Sequence, residues 1–230
     1  MKNLTMSIAE QVKELLAPLA DPAQAARMSA YMRDQFAFYG IPTPARRATL
    51  KSLVRGLKGV DAGVLLGAAG ELWQAPQREC QYAAIDLLAA HVKQFDDRHI
   101  DALLGLAHQG SWWDTVDALA VVIGMIVRAD RPLRQPRMDE AVRHADLWIR
   151  RVAMLHQLGW RADTDPGRLF GYAQRLAHEA DFFIRKAIGW GLRDYARHDP
   201  EAVREFLLAQ GSTLSALTQR EAGKHLGMEK

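Results

Sequence analysis

The 230-residue chain is 49% hydrophobic and 25% charged, with 30 Lys and Arg against 27 Asp and Glu and a formal net charge of +3. Such a chain is long enough to bury a core without a disulfide or metal staple, and its composition is that of a soluble globular protein. The single cysteine, Cys80, excludes a disulfide framework, a four-cysteine zinc site and an all-cysteine iron–sulfur cluster; no apolar run approaches the ~20 residues of a membrane span, and no signal-peptide core opens the chain. The expectation is a cytoplasmic protein with no membrane partner.

Apolar residues recur at helical spacing almost throughout, with no period-2 strand. In chain order, Asp21-Pro22, Thr43-Pro44, Asp165-Pro166 and Asp199-Pro200 each read as a helix cap followed by proline at the first helical position. Tyr31 lies ahead of the second signal. Arg46 and Arg47 follow Thr43, whose helix would offer free N–H groups to a phosphate. Segments 77–95, 113–128, 182–197 and 200–210 carry helical patterns, and Cys80 falls in the core of the first with Ala83, Ala84 and Leu87. These signals predict about eleven to thirteen helices in one all-α domain over 1–230.

The helices repeat. Trp113, Trp148 and Phe183 stand 35 residues apart, and so do Arg150, Arg185 and Arg220. That period fits a compact helix pair, each pair burying its apolar face against the next. The predicted architecture is a right-handed solenoid of HEAT-like helix pairs with a concave face for a long partner, and the arginine column should recur at equivalent places.

One residue breaks the pattern. Two positions after the arginine column stand Val152, Ala187 and Ala222, and the matching residue one repeat earlier is Asp117. An acid in a packing column is either rescued by a partner or faces something it must meet. Ser111-Trp112-Trp113-Asp114 has the form of a capping box, with Ser111 at the N-cap and Asp114 at N3. Asp117 then lies one turn into the helix with Trp113 on the same face. A second tryptophan, Trp190, shares a helical stripe with Lys186 and Arg193, and Gly189 and Gly191 beside it imply a close approach to the backbone. Core packing is the competing explanation for both indoles. Arg151 either pairs with Asp117 or points at a ligand. The eight histidines are scattered, and no zinc-protease, P-loop, nucleophile-elbow or kinase signature occurs; neither metal nor cofactor is expected.

The strings SWWDTVD (111–117), FFIRKAIGWGLRDYARHDP (182–200) and YMRDQFAFYGIPTPARR (31–47) resemble the AlkD-like DNA glycosylases, with further agreement at 71–84, 147–158 and 217–226. The resemblance spans nearly the whole chain. It implies an all-α HEAT-like protein that hydrolyses the N-glycosidic bond of N3- or N7-alkylated purines in duplex DNA, acting as a monomer on the nucleoid. It places the catalytic trio on Asp117, Trp113 and Trp190, and DNA-backbone contacts on Tyr31, Thr43, Arg47, Arg151 and Arg193. Lys186 joins these contacts from its place on the Trp190 stripe. Where the family often carries lysines, this chain has Gly110 and Gly159. The alternatives are a catalytically silent protein that binds distorted or branched DNA and a protein-interaction scaffold.

Overall fold

A computed structural model describes residues 6–226. Among the described residues there are thirteen α-helices and no strand, only an isolated bridge between Ala37 and Gln77. The chain divides into two compact units, Met1–Asp96 and Asp97–Lys230. No change of composition announces that division.

The first unit contains α1 (Ile8–Leu16), α2 (Pro22–Tyr31), α3 (Thr43–Gly56), α4 (Ala62–Trp73) and α5 (Arg78–Ala90). Asp21 caps α2 as expected, its carboxylate accepting from the N–H groups of Ala23 and Gln24. Thr43 does not cap α3. Pro42 occupies the cap position and Thr43 is the first helical residue, its hydroxyl 3.5 Å from Arg46 Nη1. The segment leading into α3 is pinned by the buried Glu79 carboxylate, which accepts from the N–H groups of Tyr39, Gly40 and Ile41 at 2.8–3.0 Å.

The second unit contains α6 (Asp97–Ala107), α7 (Trp113–Ala129), α8 (Arg131–Ala141), α9 (Leu147–Leu155), α10 (Pro166–Leu176), α11 (Phe182–Tyr195), α12 (Pro200–Gln210) and α13 (Ala216–Ala222). The repeat is visible in these boundaries. Helices α8, α10 and α12 begin at 131, 166 and 200, and α9, α11 and α13 begin at 147, 182 and 216. Each starts from a capping side chain: Asp130, Asp165 and Asp199 in the first series, Asp146, Asp181 and Ser215 in the second. Helix α7 packs on α9, α9 on α11 and α11 on α13. Gly124 permits the first contact, because a Cβ there would sit 1.8 Å from the carbonyl oxygen of His156.

Two members of the arginine column play one role. Arg150 Nη1 donates to the His144 carbonyl at 2.8 Å and Arg185 Nε to the Glu179 carbonyl at 2.9 Å, each reaching six residues back into the turn before its helix. Arg220 does not continue the column. Gln219 takes that part, donating to the Leu214 carbonyl at 3.0 Å. The last step of the repeat is one residue shorter, since α13 begins 34 residues after α11.

The start of α7 differs from the expected capping box. Ser111 Oγ donates to the Ala107 carbonyl at 2.8 Å, satisfying an orphan acceptor at the end of α6, and Trp112 holds the N-cap position without a side-chain cap. The aromatic column shifts with it. Trp112 meets Trp148 and Phe183, with ring centroids 6.0 and 5.0 Å away, and those two rings lie 4.9 Å apart. Trp113 is the first residue of α7, four before Asp117 and so on the same face of the helix.

Candidate functional site

Asp117 and Arg151 form a two-pronged ion pair between α7 and α9. Arg151 Nε lies 2.6 Å from Asp117 Oδ1 and Nη2 lies 2.7 Å from Oδ2. The remaining terminal nitrogen, Nη1, donates to the Phe183 carbonyl in α11. The arginine side chain is 1% exposed and the aspartate 19%. Burial pushes the Asp117 carboxyl above the ordinary aspartate range, with Arg151 pulling the other way and Asp114 adding to the rise. A half-hidden carboxylate carrying that desolvation penalty is the kind of group found at functional sites.

Arg151 reaches a second site residue. Its guanidinium carbon lies 5.3 Å from the centroid of the Trp190 ring, within cation–π range. Arg151, expected at a DNA phosphate, is 1% exposed and here joins Asp117, the Phe183 carbonyl and the Trp190 face from inside the helix layer.

Trp190 is anchored at its other end by Glu221 of α13. The indole Nε1–H donates to Glu221 Oε2 at 3.2 Å. The same carboxylate takes Lys186 at 2.7 Å, Arg193 at 3.1 Å and Lys224 at 2.9 Å. Against the desolvation that burial imposes, the hydrogen bonds and charges of Lys186 and Lys224 hold the Glu221 carboxyl down at about 2. Lys186 and Arg193 stay partly exposed beside it, at 23% and 25%.

Sequence reasoning missed Glu221, although a signal existed. It stands 35 residues after Lys186, as Arg151 stands 34 after Asp117. Opposite charges one repeat apart meet across neighbouring helices. The close approach implied by Gly189 is that of Glu221, whose Cβ would be 2.5 Å from a Cβ at position 189. At Gly191 the approaching atoms are those of Met154 and Leu169.

The remaining predicted residues lie in the first unit. Tyr31 ends α2 and is 72% exposed. Thr43 opens α3, and Arg47 follows it with a side chain 64% exposed and an ion pair to Asp86 at 2.8 Å. Arg46, buried, reaches the same aspartate at 3.1 Å. Gly110 and Gly159, standing where lysines were expected, have φ of 56° and 77°. A glycine serves the left-handed turn in each place. Among the described residues no group of three His, Cys, Asp or Glu side chains could hold a metal ion, and no helix is long and apolar enough to cross a membrane.

The DNA alkylation repair enzyme family model matches residues 12–226. The chain belongs to that family. A solved structure described as a predicted DNA alkylation repair enzyme from Enterococcus faecalis is 34% identical, aligns over 91% of this chain and 98% of its own, and superposes with a TM-score of 0.82. Two structures from Streptococcus mutans share the fold: AlkD2, at 17% identity over 77% of this chain and 88% of its own with a TM-score of 0.63, and smu.31, at 15% identity over 96% and 100% with a TM-score of 0.64. No curated protein matches the chain. The all-α fold of helix repeats read from the sequence is that of this DNA alkylation repair family.

Proposed function

We propose that the protein is a DNA glycosylase that releases purines alkylated at N3 or N7, such as 3-methyladenine and 7-methylguanine, from duplex DNA. The observation that carries this reading is the Asp117 carboxylate, buried enough to be pushed up and linked through Arg151 to the Trp190 ring. An alkylated purine of this kind is already a cation. The bond between C1′ and the base breaks with its electron pair going to the ring, which leaves neutral, so no general acid is required. Water then adds to C1′ and gives its proton to solvent. The products are the free base and an abasic sugar.

What the protein must supply is negative potential where the sugar becomes positive. Asp117 does this, and one preorganised electrostatic group of this kind is worth about 3–4 kcal/mol of barrier. Arg151 fixes both carboxylate oxygens so that none of this is spent on reorganisation. The faces of Trp113 and Trp190 add cation–π attraction of about 0.5–2 kcal/mol each. Lys186 and Arg193, and in the first unit Tyr31, Thr43 and Arg47, bind the DNA backbone without reading sequence. The enzyme acts as a monomer on nucleoid DNA in the cytoplasm and needs no cofactor.

A second reading has a specific observation behind it: the two-pronged pair makes Asp117 a structural partner of Arg151, in a protein that binds altered DNA without cutting it. The deciding experiment measures release of 7-methylguanine and 3-methyladenine from methylated duplex DNA by the wild-type and Asp117→Asn proteins. Release by the wild type that is lost in the folded variant supports the glycosylase. Binding without release by the wild type supports the second reading.

A further inference from the structure

Trp190 is held in a way the glycosylase chemistry does not itself require. A tryptophan side chain can place its ring edge in either of two senses about its second torsion, and only one of these directs Nε1–H toward α13. Glu221 Oε2 accepts that N–H at 3.2 Å. Arg193 Nη1 and Lys224 Nζ converge on the same oxygen, while Lys186 takes Oε1. The carboxylate is therefore fixed from three sides and is 5% exposed. With Arg151 at 5.3 Å and Arg193 at 5.9 Å from the ring centroid, the indole is confined by two guanidinium groups and one acceptor. Gly189 lets α13 come close enough for this, since Glu221 Cβ occupies the space that a side chain at 189 would need.

We propose that Glu221 is a positioning residue for the reaction: its Oε2 sets the plane and edge of the Trp190 ring, and through that ring the face presented to the cationic substrate. This rests on the glycosylase reading for its effect on rate, but not for its effect on the ring. Three substitutions separate acceptor from charge. Glu221→Gln keeps the length and one oxygen; that oxygen takes the Oε2 place, where three donors converge, and the amide NH2 releases Lys186 from the Oε1 place. Glu221→Asp keeps the charge and withdraws the acceptor by one carbon–carbon bond. Glu221→Ala removes both.

The experiment reads the indole N–H resonance of Trp190, one of six tryptophans, identified by its loss in Trp190→Phe, together with the single-turnover rate of 7-methylguanine release. Glu221→Gln should leave the resonance in place and the rate within about threefold of wild type. Glu221→Asp and Glu221→Ala should move it toward the position of a free indole and slow release by up to about 10²-fold, the penalty of a misplaced catalytic group. In Glu221→Asp the single-turnover constant should fall while DNA affinity does not, since Asp retains the counter-charge of the three cations. If Glu221→Ala does not fold, the Gln and Asp variants decide between themselves. An unmoved resonance in Glu221→Asp overturns the proposal, and so does a moved resonance with a wild-type rate. If the wild type releases no base, the glycosylase reading fails while the resonances still decide whether Glu221 sets the ring.

Discussion

Asp117 and Glu221 are the same device used at two ends of one helix layer. Each is a carboxylate on a helix of the α7–α9–α11–α13 series that meets a cation placed about one repeat away, Asp117 with Arg151 and Glu221 with Lys186. Yet burial lifts the Asp117 carboxyl while Glu221 is held at about 2. The difference lies in the partners. Asp117 has one guanidinium, itself buried, against a full desolvation penalty, whereas Glu221 has Lys186, Arg193, Lys224 and an indole N–H. An acid with surplus cations is settled, and an acid with barely enough retains a field that can act on a substrate.

The largest expected effect follows from removing that field. Asp117→Asn should lower the single-turnover release rate by about 10²–10³-fold. It also leaves Arg151 with a buried charge and a neutral partner, so the melting temperature falls as well. Rates must therefore be measured well below the transition. A less stable, folded variant that releases base at the wild-type rate would reduce Asp117 to a structural role and erase the contrast with Glu221.

Arg151→Met tests the other half of the pair. Breaking a buried ion pair from one side costs about 3–5 kcal/mol, whereas removing both charges is often close to neutral. Urea denaturation should show a large loss for Arg151→Met and a substantial recovery in the Asp117→Asn/Arg151→Met double variant. The acid limb of the pH–rate profile should also move to higher pH in Arg151→Met, because the one group pulling the Asp117 carboxyl down has gone. Additive losses in the double variant would show that the pair is not the unit.

How much of this was legible in the sequence depended on whether the cause was local. Asp21, Asp165 and Asp199 act on their own first turns, so their caps could be read directly. Ser111 and Thr43 could not. Ser111 serves the carbonyl that ends the preceding helix, and proline takes the cap ahead of Thr43. Asp117 stood out because a 35-residue period sets it in the column of Val152, Ala187 and Ala222, although counted from the helix starts it matches Arg151. Glu221 interrupts nothing: its meaning comes from Lys186 and Trp190 on another helix. Gln219 stands in for Arg220 because the last helix pair is one residue shorter, while Trp112 stands in for Trp113 from the N-cap of α7, ahead of the helix itself.

Acid titration sharpens the comparison by sign. Burial holds the His156 imidazole down at about 4. The unfolded chain therefore takes that proton first, and its share of stability is lost as pH falls from about 6.5 toward 4. The Glu221 share is present above the ordinary carboxylate range and is lost as pH falls from about 4.5 toward 2. Asp117 has the opposite sign, since its raised value makes the folded state the better proton acceptor. Glu221→Gln should flatten the stability curve below pH ~4.5 and leave the His156 region unchanged. A curve of unaltered shape would show that the cations do not hold Glu221 ionised.

The smallest effects concern Arg47, which is exposed, and Arg193, which is partly exposed and also paired with Glu221. Each phosphate neutralised contributes about −0.9 to the slope of log affinity against log salt. Arg193→Ala, and Arg47→Ala in the first unit, should each reduce that slope by about one with little change in sequence preference. For Arg47 the stability change should stay within about 1 kcal/mol, because its pair with Asp86 is largely solvated. Arg151 carries the same charge but is 1% exposed and committed to Asp117. In Arg151→Met the slope should therefore remain at the wild-type value even though affinity falls with the fold. A slope reduced by one in that variant would mean that the guanidinium leaves Asp117 for a phosphate when DNA binds, and the carboxylate would then face the substrate without a counter-ion.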